Sequence, residues 1–227
     1  NGGQSNTSGA FVHSSYYADL MTTRHNVTLR RNTFHNNTAP SGSVLRVYMA
    51  STVVAQQPMY LDLLFQDNKW TQNVAPIHLE LNDGSSQTLT ATNNTWQNNT
   101  RKVMYIATTK ATTTLQLTNN KWLDNVGEAE VTRFQPGLIT FNTLNRPNNI
   151  TVAITGDDVM NNNIGFLAAL ITDATVDVFE VTLDRVRLQN TSAVLGGVMR
   201  MTLSASEMLN LTMVARDSMF VGNTAER

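Results

Sequence analysis

Short runs of alternating apolar and polar residues recur along the whole chain. No stretch of 12 or more residues keeps a helical period. Val27-Thr-Leu29, Leu61-Asp-Leu63, Leu89-Thr-Ala91, Leu115-Gln-Leu117, Val152-Ala-Ile154, Val181-Thr-Leu183 and Leu211-Thr-Met213 each set apolar side chains two apart. A period of two marks a strand with one buried face. After each run comes a turn-like segment, and after six of those a second apolar run: Val44 to Val47, Ile77 to Leu79, Val103 to Ile106, Leu138-Ile139, Phe166 to Ile171 and Val198 to Met201. The pattern predicts an all-β chain made of one unit repeated: strand, corner, strand, loop.

The corners carry a motif. Asn32-Thr-Phe34-His-Asn-Asn37, Asn68-Lys-Trp70-Thr-Gln-Asn73, Asn94-Thr-Trp96-Gln-Asn-Asn99 and Asn120-Lys-Trp122-Leu-Asp-Asn125 share Asn-x-aromatic-x-x-Asn. Weaker copies are read at Asp158-Val-Met160-Asn-Asn-Asn163, Arg185-Val-Arg187-Leu-Gln-Asn190 and Ser218-Met-Phe220-Val-Gly-Asn223. The central positions 34, 70, 96, 122, 160, 187 and 220 lie 36, 26, 26, 38, 27 and 33 residues apart, a base of 26 with insertions. A unit of this length cannot bury its apolar face alone and must stack on its neighbours. A propeller blade needs about 40 residues and four strands, and a leucine-rich repeat needs a Leu-rich consensus. What fits is a single-stranded parallel β-helix, a solenoid of about 7–8 rungs spaced by roughly 4.8 Å. It is expected to span residues 1–227 as one domain.

Composition then acquires a cause. The chain has 227 residues, of which 26 are Asn and 31 Thr, a quarter of the total. Asn tolerates the left-handed backbone of a tight corner, and stacked Asn amides can bond in a ladder. The expected corner residues are Asn37, Asn73, Asn99, Asn125, Asn163, Asn190 and Asn223. Phe34, Trp70, Trp96, Trp122 and Phe220 are expected to point inward and stack from rung to rung. With 16 Lys+Arg against 17 Asp+Glu there is no basic excess to mark a nucleic-acid binder. The longest apolar run, Ile164 to Ile171, is too short to span a bilayer. The absence of Cys removes disulfides and Cys-ligated metal sites.

The motif, followed by a small or Gly-containing segment and an aliphatic strand, resembles the right-handed parallel β-helix repeats of the pectin-lyase-like superfamily. It is especially similar to the Asn-rich repeats of polymorphic surface proteins. Ser8-Gly-Ala-Phe11, Ser41-Gly-Ser-Val44 and Leu195-Gly-Gly-Val-Met199 stand where those repeats carry a Gly-Gly-Ala-Ile-like element. The resemblance implies the fold and right-handedness. It leaves function open among lyases, hydrolases, adhesins and structural proteins.

The first twelve residues read as the downstream half of a repeat, and Ser218 to Arg227 as the upstream half of another. Incomplete rungs at both ends suggest a piece of a longer solenoid, or a subunit that stacks head to tail on copies of itself. Sequons for N-linked glycans occur at Asn6, Asn26, Asn36, Asn93, Asn98, Asn149, Asn190 and Asn210. Exposed corners bearing them point to a secreted glycoprotein at the cell surface.

Candidate chemistry is sparse. Asp157-Asp158 resembles a paired-carboxylate hydrolase motif, but Asp158 also fits the first-Asn position of the repeat. Asp173, Asp177 and Asp184 with Arg185 and Arg187 alternate as a solvated strand face would. His13, His25, His35 and His78 are too scattered to predict a metal site. The three Trp residues suit core packing better than a sugar platform, and Thr112 to Thr118 forms too short a Thr array for ice binding. The expectation is therefore no cofactor and no catalytic residue. The protein is read as a structural or adhesive module of the cell exterior, partnered by copies of itself or by adjacent β-helix segments. A carbohydrate-active or polysaccharide-binding β-helix is the alternative.

Overall fold

The computed structural model describes residues 12–18, 23–51, 59–82, 84–127, 137–144, 148–172, 176–193, 197–204 and 210–225. Among these there is no helix. The strands come in chain order as seven repeats. The first is Val12–Ala18 (β1), Thr23–Arg30 (β2) and Thr33–His35 (β3). The second is Leu45–Ser51 (β4), Met59–Gln66 (β5) and Lys69–Thr71 (β6). Ile77–Asn82 (β7), Ser86–Thr92 (β8) and Thr95–Gln97 (β9) form the third; Met104–Thr109 (β10), Thr112–Thr118 (β11) and Lys121–Leu123 (β12) the fourth. The fifth is Gly137–Leu144 (β13), Asn148–Thr155 (β14) and Asp158–Met160 (β15). The sixth is Gly165–Thr172 (β16), Val176–Asp184 (β17), Arg187–Gln189 (β18) and Ser192–Ala193 (β19). The seventh is Met199–Ser204 (β20), Asn210–Arg216 (β21), Met219–Val221 (β22) and Thr224–Ala225 (β23).

Each repeat gives one strand to each of three seven-stranded sheets. The first sheet runs β1-β4-β7-β10-β13-β16-β20, the second β2-β5-β8-β11-β14-β17-β21, and the third from β3 through β6, β9, β12, β15 and β18 to β22. All pairs are parallel. Parallel neighbours need a long crossover between them, and here the other two strands of the repeat supply it. The topology is that of stacked parallel sheets, compatible with a β-solenoid.

Alternation decides what is buried. On β5, β7, β8 and β10 every second residue is buried. Register lines these into continuous rows, such as Leu63, Leu89, Leu115, Val152 and Val181 along the second sheet. One cluster runs from Leu29 to Leu188. On the third sheet Phe34, Trp70, Trp96 and Trp122 stand in one row. Trp70 and Trp96 stack at 4.5 Å and 16°, Trp96 and Trp122 at 5.2 Å and 11°.

The register corrects two weak copies of the motif. Trp122 pairs with Val159, Val159 with Leu188, and Leu188 with Phe220. The inward positions are thus 159 and 188, not 160 and 187. Apolarity decides the register: Val159 and Leu188 are buried, whereas Arg187 is exposed.

Candidate functional site

Two kinds of corner residue turn out to be distinct. The left-handed conformation falls at Arg31, Asp67, Asn93, Asn119, Gly156, Arg185 and Asp217 before the third sheet, and at Asn36, Gln72, Asn98, Asp124, Asn161, Asn190 and Gly222 after it. The residue that follows each of these points inward instead. Asn32, Asn68, Asn94 and Asn120 form one ladder that ends on Asp157; Asn37, Asn73, Asn99, Asn125 and Asn162 form another. Asn99 is typical. Its Nδ2 donates to Asn125 Oδ1 at 3.0 Å and to the Trp70 carbonyl at 2.9 Å, and its Oδ1 accepts from the Asn73 backbone N–H and Nδ2. Left-handed tolerance therefore does not explain Asn37, Asn73, Asn99, Asn125 or Asn223. They satisfy backbone groups that the turn removes from the sheets. Asn163 is one residue past the ladder, whose member is Asn162. Asn190 is a left-handed residue, with Thr191 taking the ladder position and donating its backbone N–H to Asn223 Oδ1 at 2.9 Å.

The same division sorts the sequons. Asn26, Asn36, Asn93, Asn98, Asn149, Asn190 and Asn210 are all exposed, while no ladder Asn belongs to a sequon. The repeat enforces part of this, since the residue two after the first ladder Asn is the inward aromatic. Asn26, Asn149 and Asn210 project from the second sheet, and the other four sit at corners flanking the third. None lies on a described strand of the first sheet. Asn6 lies outside the described residues, as do Asp173 and the segment 8–11.

Asp157 replaces Asn in the first ladder. It is fully buried, and its carboxylate accepts from the Asn120 backbone N–H at 2.8 Å, from Asn120 Nδ2 and from Trp122 Nε1 at 2.9 Å. Burial pushes its carboxyl up to about 6, against the hydrogen bonds from Trp122 and Asn120 that favour the anion. Next in that row stands Val186, which offers no acceptor, so a residue that only accepts fits the ladder's end. This overturns the placement of Asp158 at the first-Asn position and removes Asp157 from contact with any substrate. Asp184 bonds Arg185 at 3.0 Å, and Arg187 donates to Gln189 Oε1 at 2.7 Å, pairs of an exposed face. The three Trp residues are inaccessible to a sugar ring.

Sequence reasoning passed over the outer face of the first sheet. Register sets Arg46, His78 and Tyr105 in one row, and Tyr48 and Glu80 beside it. The loop before β4 folds over this row. Gly42 has φ 59°, and a Cβ there would meet Arg46 Cβ at 2.9 Å and His78 Cβ at 3.2 Å, so only glycine allows the approach. The loop brings the Ser41 hydroxyl into hydrogen-bond contact with His78 Nδ1. His78 Nε2 lies 3.7 Å from Glu80 Oε2. The imidazole packs on Tyr105 at 4.8 Å, Lys102 Nζ stands 4.1 Å from the Tyr105 ring centroid, and Asn142 Nδ2 donates to Tyr105 Oη at 2.8 Å. Burial, then the charges of Arg46 and Lys102, lower His78 to about 4, so it is neutral at ordinary pH. Arg46 Nε is buried with no hydrogen-bond partner among the described residues. The signal was present in the sequence as Arg46, His78 and Tyr105 at equivalent strand positions, but the variable insertions hid their register. His25 and His35 are elsewhere, and no group of three His, Asp or Glu suited to a metal occurs among the described residues.

At the last repeat the core rows are open. Leu211, Met213 and Phe220 are 43%, 53% and 42% exposed, whereas their row mates Phe179, Val181 and Leu188 are buried. Phe34, at the other end of the aromatic row, is 5% exposed. Comparison with protein-family models, curated proteins and solved structures finds no match. The likeness to pectin-lyase-like repeats thus rests on the Asn-aromatic motif, and on a parallel topology compatible with it.

Proposed function

We propose that the chain is a structural or adhesive module of the cell exterior. In this reading the three sheets close into a parallel β-helix of seven turns, a stiff rod extended by docking a further repeat on its last one. The observation that carries it is the apolar row Leu211, Met213 and Phe220, exposed on β21 and β22, which are edge strands of the second and third sheets among the described residues. Such an edge templates another strand, and exposed apolar area of this kind is a docking surface. The occupant is a repeat of the same design, from a second copy or an adjoining β-helix segment.

Sedimentation and electron microscopy test the self-stacking form. The expected outcome is concentration-dependent end-to-end association, reduced at least tenfold by Met213→Asp with Phe220→Asp. Single particles at all concentrations, unchanged by these substitutions, would sink it. The exposed sequons support a glycosylated, extracellular setting. Enzymatic removal of N-glycans from material isolated from its source should convert sequon asparagines to Asp at Asn36 and Asn98, which share one corner position. Unmodified asparagine at both would contradict that setting.

A further inference from the structure

We propose that Ser41 is a nucleophile for acyl transfer from ester substrates, with His78 as its base and Glu80 as the residue that positions the imidazole. The inference goes beyond a structural role and stands independently of whether the rod stacks.

The argument starts from connectivity. A serine hydroxyl is a weak nucleophile until an adjacent base takes its proton, and the base works when a third group fixes its tautomer. Ser41 contacts His78 Nδ1. With Nδ1 accepting, the imidazole proton sits on Nε2, which is buried without a hydrogen-bond partner among the described residues and lies 3.7 Å from Glu80 Oε2. That separation is longer than a hydrogen bond, and such contacts are often loose before substrate binds. The imidazole is neutral at ordinary pH, as an acceptor must be. The groups facing it are Ser41 from the loop, Arg46 on β4, Glu80 on its own strand and Tyr105 on β10, with Lys102 just before β10. Arg46 and Lys102 place positive charge near His78, a charge that would favour an oxyanion formed from an ester's carbonyl oxygen at this site. Among the described residues Arg46 Nε is a buried donor without a hydrogen-bond partner, and buried polar groups are ordinarily paired.

The step balances without a metal or redox partner. Ser41 Oγ bonds to the acyl carbon as its proton passes to His78 Nδ1. The tetrahedral intermediate expels the alkoxide, which takes that proton and leaves as an alcohol. Water then attacks the acyl carbon as its proton passes to His78 Nδ1; the bond to Ser41 Oγ breaks, Oγ takes that proton back from His78, and the carboxylic acid leaves. Substrates would be O-acyl esters small enough to reach a serine beside a sheet surface.

The test is covalent capture. The intact chain is incubated with an alkyl fluorophosphonate, and the modified peptide is identified by mass spectrometry. One adduct per chain at Ser41 is expected. It should be absent in Ser41→Ala and formed at least 100-fold more slowly in His78→Gln, with Glu80→Gln slower by several-fold. Thermal unfolding of each variant close to that of the parent shows that the fold is intact; if His78→Gln melts early, Glu80→Gln carries the comparison. No adduct at Ser41, or an adduct whose rate ignores His78 and Glu80, overturns the proposal.

Discussion

Trp96→Ala is expected to destabilise the protein by roughly 3–5 kcal/mol, the range for emptying a buried aromatic site. Trp96 is fully buried between Trp70 and Trp122, with ring planes 16° and 11° from theirs. Stacked repeats hold together through nearest-neighbour contacts, so losing a central ring weakens two interfaces. Collapse of the site is resisted because the Asn94 and Asn99 ladders fix the backbone on either side of β9. Two controls separate this from simple loss of area. Trp96→Phe keeps a ring and removes an indole N–H that has no hydrogen-bond partner among the described residues, so it should cost less than half as much. Phe220→Ala, in the same row but 42% exposed, should cost about 1 kcal/mol or less in the unassociated chain. Urea unfolding followed by Trp fluorescence and circular dichroism measures all three. Equal losses at Trp96 and Phe220 would mean that the row is not what holds the third sheet in place.

Much of this fold was legible because one motif states it several times. Four near-identical copies of Asn-x-aromatic-x-x-Asn fix the third sheet, and period-two runs such as Leu115-Gln-Leu117 fix the second. Reading failed where the copies decay. Arg185-Val-Arg187-Leu-Gln-Asn190 offers two apolar residues, Val186 and Leu188, on either side of Arg187, and no local signal tells which one replaces Trp; both are buried, and the pairing of Leu188 with Val159 settles it. The roles of adjacent asparagines were likewise merged. In Asn93-Asn94 and Asn98-Asn99 one residue carries the left-handed turn and the next carries the ladder, with identical chemistry and opposite exposure. The Ser41, Arg46, His78 and Tyr105 cluster was illegible for another reason. It joins three repeats separated by unequal insertions, and the register between them is a property of the stacked sheets.

Stability should fall as pH rises through the titration of Asp157, the reverse of what an ordinary surface carboxylate contributes. In the unfolded chain this carboxyl has its usual value of 3.8, whereas in the fold it is pushed up to about 6 by burial. Between the two values the folded protein holds a proton that the unfolded chain has released. The group's contribution is therefore complete below 3.8 and is lost as pH climbs past 6. A gap of roughly two units at about 1.4 kcal/mol each makes the loss on the order of 3 kcal/mol. Other carboxylates titrate in the same range, so the measurement is a difference: unfolding free energy of the parent minus that of Asp157→Asn, followed from pH 4 to 7. Asn at 157 does not titrate. It could still accept from Asn120 through Oδ1, but its Nδ2 would face the Trp122 indole N–H, donor against donor. The parent's advantage should thus be greatest near pH 4, where the neutral carboxyl still accepts from Trp122, and shrink by about 3 kcal/mol by pH 7 as the buried charge appears. A flat difference across that window would show that Asp157 titrates as an ordinary carboxylate. The ladder would then be ending on an anion already stabilised by Trp122 and Asn120, and the exchange of Asn for Asp at this rung would carry no cost at neutral pH.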